Sequence, residues 1–102
     1  MIRPSNLFEG PPPPENGERF TPLFESPGVR IEGIRSCLKT PGEWYDQEEN
    51  EWVMLIRGEA MLEIAGEVLE LRAGDHLLIP AHIPHRVLST AQDTYWIGVF
   101  SS

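Results

Sequence analysis

Apolar and polar residues alternate in short runs along most of this chain, and each run stops at a glycine or proline turn. Val29-Arg30-Ile31-Glu32 alternates, and Ile34-Arg35-Ser36 carries the pattern on to Leu38 before Thr40-Pro41-Gly42 breaks it. Trp52 to Ile56 is a short apolar run ended by Arg57-Gly58-Glu59. Ala60, Leu62 and Ile64 alternate with Met61 and Glu63, Ala65-Gly66 supplies a hairpin turn, and Leu69 and Leu71 flank Glu70 on the return. Ala73-Gly74-Asp75 turns the chain again before His76 to Ile79, and Arg86-Val87-Leu88 and Tyr95 to Phe100 close the series. A period of two puts alternate side chains on opposite faces, which is the mark of a half-buried strand. One stretch, Glu43 to Ile56, sets Trp44, Trp52 and Leu55 on one rough helical face. Its flanking glycines, Gly42 and Gly58, and its repelling acids argue against a helix. Seven or eight short strands at near-regular spacing predict an all-β sandwich or barrel.

The first residues read differently. Pro11-Pro12-Pro13-Pro14 followed by Glu15-Asn16-Gly17-Glu18 has no N–H donors to offer a sheet ladder over its proline run. Residues 1 to 19 are therefore expected to form a Pro-rich arm, extended as polyproline II in its middle, ahead of a barrel domain over residues 20 to 102. Leu7-Phe8 and Phe20-Leu23-Phe24 are apolar enough to pack across the barrel or onto a partner subunit.

Composition narrows the function. The chain has 102 residues, 40% hydrophobic and 24% charged, which suits one globular domain. A net charge of −8, with only eight scattered Lys and Arg, lacks the basic footprint that phosphate backbones require, so nucleic acid is not an expected partner. Its apolar runs are far too short to cross a bilayer as helices, and the N-terminus has no apolar signal core. A lone Cys37 allows no internal disulfide or cysteine-type zinc cluster; a reducing, cytoplasmic setting is the default expectation. Open strand edges and abundant aromatics in so small a domain predict a homodimer.

Two segments carry candidate chemistry. Glu43, Asp46, Glu48, Glu49 and Glu51 fall within nine positions with no Lys or Arg among them. Such a cluster is either a solvated negative loop or a hard-cation site, where carboxylate oxygens suit Mg, Ca, Mn or Fe(II) and a nearby imidazole extends the range to Zn, Ni or Cu. The second segment is Pro80-Ala81-His82-Ile83-Pro84-His85-Arg86-Val87. Pro84 rules out a helical face shared by its two histidines. His85, where the strand resumes, is the better inward candidate; His82 is expected at the loop surface, and His76 in solvent or a structural role. The aromatic residues Trp44, Tyr45, Trp52, Tyr95 and Trp96 either pack core and interface or line a cavity against a planar or sugar ligand.

Gly74-Asp75-His76-Leu77-Leu78-Ile79-Pro80-Ala81-His82-Ile83-Pro84-His85 resembles the second motif of the cupin family: glycine, five residues, proline, one residue, usually glycine, two residues, histidine. His82 stands at the usual second glycine, and Ser89 where an asparagine often closes the motif. Glu51, six residues, Gly58 is similar to the second half of the first motif. The resemblance covers residues 29 to 100, and Trp44-Tyr45-Asp46-Gln47 through Glu51-Trp52-Val53 is similar to a small group of stand-alone bacterial cupins with no settled activity. It implies a cupin-type jelly-roll barrel, a double-stranded β-helix, with a small-molecule ligand held inside.

The resemblance also exposes a departure. Metal-bearing cupins carry a His-x-His pair shortly before the motif glutamate. Here the corresponding positions are Tyr45 and Gln47, or Trp44 and Asp46, depending on the spacing, and neither choice holds histidine. By position, Glu51 and His85 carry over as metal ligands, with Asp46 and Gln47 as candidate oxygen ligands. The implied function is a small-molecule site dependent on a divalent metal (Fe, Mn, Zn or Ni) acting as Lewis acid or oxygen-chemistry centre. The alternatives are a non-catalytic, metal-free module for a sugar or metabolite, and a structural dimer. Whether the chain is an enzyme stays open.

Overall fold

A computed structural model describes all 102 residues and contains eight strands and no helix. In chain order these are β1 (Gly17–Ser26), β2 (Val29–Cys37), β3 (Asn50–Arg57), β4 (Glu59–Ile64), β5 (Glu67–Arg72), β6 (His76–Ile79), β7 (His85–Thr90) and β8 (Thr94–Ser101). They form two antiparallel sheets, one ordered β1-β2-β8-β3-β6 and the other β5-β4-β7. This is the all-β jelly roll expected from the strand pattern and the motif resemblance. No helix is long and apolar enough to cross a membrane.

Alternation decides which residues meet between the sheets. Glu51, Val53 and Leu55 of β3 point inward while Trp52 stays exposed, and Ala60, Leu62 and Ile64 of β4 repeat the parity. With Ile34, Leu71, Ile79 and Trp96 the apolar members of this set form one core, and Leu55 at its centre is wholly buried. Removing a side chain from such a position costs about 2–5 kcal/mol, so the core is the main source of cohesion.

The strand that the alternation pattern does not announce is β1. It pairs with β2 from Gly17↔Cys37 to Ser26↔Val29, so the sheet begins inside the stretch that reads as arm. Pro22 hides it from a sequence reading. Proline is tolerated here because β1 lies at the sheet edge and the register shifts between Pro22 and Phe24. Its Phe20, Leu23 and Phe24 are also half-exposed, so no clean alternation survives. Upstream of β1 the chain lies across the outer face of the larger sheet. Leu7 occupies the space over Gly33, Phe8 meets Tyr95 edge-on at 5.1 Å, and Arg35 and Arg19 donate to the carbonyls of Pro11 and Pro12.

Tight turns hold the strands in register. Ala65 and Gly66 connect β4 to β5 with both φ angles positive, as a two-residue hairpin requires. Gly58 joins β3 to β4 at φ +95°, and a Cβ there would run into the side chain of Thr94 and stand 2.9 Å from its Cα. Gly66, at φ +79°, has open space around it. Gly58→Ala is therefore expected to cost about 3 kcal/mol, from backbone strain plus collision with β8, whereas Gly66→Ala costs about 1 kcal/mol from strain alone. Urea denaturation of the two variants checks this; equal losses would show that Thr94 yields freely.

Candidate functional site

The polar centre of the barrel is built by two segments that run side by side. Backbone hydrogen bonds tie Gly42 N to Val87 O (2.8 Å), Tyr45 N to His85 O (2.8 Å), His85 N to Tyr45 O (3.0 Å) and His82 N to Gln47 O (2.7 Å). The chain before β3 is thus held extended against β7 and its loop. In an extended chain alternate side chains share a face. Tyr45 and Gln47 turn into the barrel, and Trp44 and Asp46 turn out.

That parity settles the spacing. Tyr45, Gln47, Glu51 and His85 all line one cavity. Asp46, a candidate oxygen ligand from the sequence, is not among them: its side chain is 58% exposed and meets His82 Nδ1 at 3.1 Å on the surface. Trp44 is exposed too, with the Arg86 guanidinium 4.5 Å above its ring. His82 adopts φ +61°, which accounts for glycine being usual at this motif position. It lies at the loop surface, and His76 is likewise exposed, beside Trp52.

Glu51 and His85 are 6% and 5% exposed and approach to 3.6 Å between Oε1 and Nε2. His85 Nδ1 lies 2.9 Å from the Ile83 carbonyl, to which it donates, leaving Nε2 directed at Glu51. Gln47 Nε2 donates to the same Glu51 oxygen at 3.3 Å. Gly98 on β8 makes the space: a Cβ there would stand 3.3 Å from Glu51 Oε2. Burial opposes a charged imidazole at His85, but the Glu51 carboxylate and the Ile83 carbonyl outweigh it and hold the pKa above 6.5.

One wall of the cavity comes from a residue that no motif marks. Glu18 of β1 sits opposite Ser36 of β2 in the sheet register and accepts a 2.6 Å hydrogen bond from its hydroxyl. Burial raises its pKa above the ordinary 4.5, Ser36 pulls it back, and the charge of Glu51 pushes it further up. Tyr45 is raised for the same reasons, by burial first and then by Glu18, Glu43 and Glu51. The sequence signal for Glu18 is absent, because it belongs to a strand interrupted by proline and lies far from both motifs. The remaining walls are apolar, with Val53, Leu62, Ile79, Val87, Trp96 and Phe100 around a volume of about 60 Å³. Of the aromatic residues, Tyr45 and Trp96 are therefore cavity-lining, while Trp52 faces outward.

Residues 39–100 match the family model for the cupin domain. A search of curated proteins finds no match. Among solved structures, a Ralstonia eutropha JMP134 protein provisionally described as a mannose-6-phosphate isomerase is 36% identical over 99% of both chains, with a TM-score of 0.84. An RmlC-like cupin from Shewanella frigidimarina NCIMB 400 is 19% identical over 84% of this chain and 77% of its own, TM-score 0.73. KdgF from a Halomonas species is 21% identical over 83% and 78%, TM-score 0.76. The last two share the fold.

The ionisable donors of the cavity do not gather into one cluster. No group of three or more His, Cys, Asp or Glu side chains converges. Asp46 points away, and Gln47 turns its N–H toward Glu51. Glu51 and His85 are the two ionisable donors that face each other closely, with Gln47 beside them and Glu18 farther along the same wall.

A folded-state pKa above the unfolded value means that the stabilisation from His85 is fully present below about pH 6.5 and is lost as pH rises through the raised value. The urea midpoint is expected to fall over that window in the wild type. Nuclear magnetic resonance titration should place the His85 midpoint above 6.5, and Glu51→Gln should lower it and flatten the stability profile. An unchanged midpoint in Glu51→Gln would refute the pairing.

Proposed function

We propose that this chain, which belongs to the cupin family, is a metal-free binding protein that holds a small molecule inside its barrel against Glu51 and His85. The observation that carries this reading is a buried carboxylate–imidazole pair on the wall of an otherwise apolar cavity. Ligand sites typically combine an apolar lining with a few placed polar groups, and this one has that composition. Its volume of about 60 Å³ suits a ligand of a few heavy atoms, or the end of a larger one that enters from the mouth.

The similarity to a protein provisionally described as a sugar-phosphate isomerase supports a small polar ligand. A phosphate group is a poor occupant of this cavity. No Lys or Arg lines it, Glu18 and Glu51 do, and the imidazole is already engaged by Glu51. Glu51 and Gln47 position one polar end of the ligand, and His85 holds a proton at Nε2 that it can share with that end.

Mass spectrometry of the purified, untagged protein under gentle and then denaturing conditions tests this reading. The expected result is a small molecule released on unfolding, at an occupancy lowered about tenfold in Glu51→Gln and in His85→Gln. Elemental analysis is expected to find no stoichiometric transition metal. A stoichiometric metal that disappears with Glu51→Gln would overturn the metal-free reading in favour of Glu51, His85 and Gln47 as ligands.

A further inference from the structure

The cavity has a second polar pole, and it comes from outside the region that matches the cupin model. Glu18 stands on β1, twenty-one residues before that region begins at position 39. Its environment fixes the role of each oxygen. Trp96 Nε1 donates to Ser36 Oγ at 3.1 Å, so the Ser36 hydroxyl, wholly buried, has its single proton free to give to Glu18 Oε2 at 2.6 Å. Oε1 accepts no hydrogen bond within the protein. Glu18 lines the same cavity as Tyr45, Gln47, Glu51 and His85, and no cation neutralises it.

We propose that Glu18 is a ligand-contacting residue of this cavity, its Oε1 addressed to an uncharged, hydroxyl-bearing molecule, and that it helps exclude anions. The assignment rests on the cavity's being the ligand site, and it adds the chemical class. An ionised Glu18 accepts a hydrogen bond from a ligand hydroxyl; a protonated one donates to the same oxygen. Burial and the charge of Glu51 raise its proton affinity, and the Ser36 hydrogen bond lowers it. A hydroxyl, both donor and acceptor, complements either, whereas a ligand carboxylate would add a third acidic group, beside Glu18 and Glu51, to an apolar space that holds one imidazole and no Lys or Arg. A second hydroxyl on the ligand reaches the Glu51–His85 pair, and a short hydrocarbon portion meets the walls of Val53, Ile79 and Phe100.

Propane-1,2-diol and lactate, which differ by replacement of a hydroxymethyl with a carboxylate, are the probes. Both are titrated at pH 7 with the Trp96 indole N–H resonance as reporter, since that group bonds to Ser36 beside Glu18. The wild type is expected to bind the diol at least tenfold more tightly than lactate. Glu18→Ala should weaken the diol about tenfold, and Glu18→Gln, which keeps the Ser36 bond and turns an N–H toward the ligand, should recover most of that loss. Equal binding of diol and lactate, or a Glu18→Ala variant that binds the diol as the wild type does, overturns the role of Glu18 while the cavity signals still report a ligand site. If neither probe moves those signals, the ligand class is wrong; the release of a small molecule on unfolding then decides separately whether the cavity binds anything.

Discussion

The contact between Glu51 and His85 is the one on which the interior of this barrel depends. Taking a carboxylate and an imidazolium out of water costs several kcal/mol each, and only mutual attraction plus further hydrogen bonds offset it. Here the further bonds are present: Ile83 accepts from one side of the imidazole, and Gln47 donates to the carboxylate. No polar side-chain atom wholly shut off from solvent and cavity is left without a partner. Residues that share this duty cannot drift independently, because a displaced Glu51 or His85 becomes an unpaired buried charge.

The pairing in turn requires two distant segments to be in register. Glu51 is placed by β3, whose neighbours Ile79 and Phe100 flank it on either side in the sheet. His85 begins β7 in the opposite sheet and is bonded through its backbone to Tyr45. Tyr45 also stacks on the His85 ring, with centroids 5.8 Å apart. The stretch before β3 therefore acts as a bridge between the sheets, and its acids separate in space. Asp46 pairs with His82 in solvent, Glu49 pairs with Arg30 at 2.9 Å, and only Glu51 enters the core. What looks like one negative cluster in the chain is three separate electrostatic situations in space.

This explains how much could be read from residues alone. Alternation over Ala60 to Ile64, the turn at Ala65-Gly66 and the Gly58 and Gly74 turns are local signals, and they yield β4, β5 and their neighbours directly. Glu51 and His85 stood out because each sits at a fixed offset from a turn glycine or proline. The choice between Tyr45 with Gln47 and Trp44 with Asp46 stays open in the sequence, since it depends on which face the extended stretch shows to β7, a tertiary fact. Glu18 was out of reach for a similar reason. Edge strand β1 contains a proline and exposes Phe20 and Phe24, so it lacks the pattern of a buried strand, and Glu18 acquires its meaning only from the pairing with Ser36.

The three groups on the cavity wall whose proton affinities shift all shift upward. Glu18 and Tyr45 do so because burial and neighbouring acids disfavour their ionised forms, and His85 because a carboxylate favours its charged one. These are different causes with one common source, an excess of carboxylates over cations around an apolar space. A cavity of that kind raises proton affinities and disfavours a further acidic group, independently of which ligand it holds. The family motifs supply half of this character, through Glu51 and His85. The other half comes from Glu18, on a strand that the matched region of the family model does not include. Two chains with the same motifs and a different residue at this β1 position would share the fold and the imidazole–carboxylate pair. They would nonetheless differ in the charge that their ligands are permitted, which is how one barrel can serve unrelated molecules.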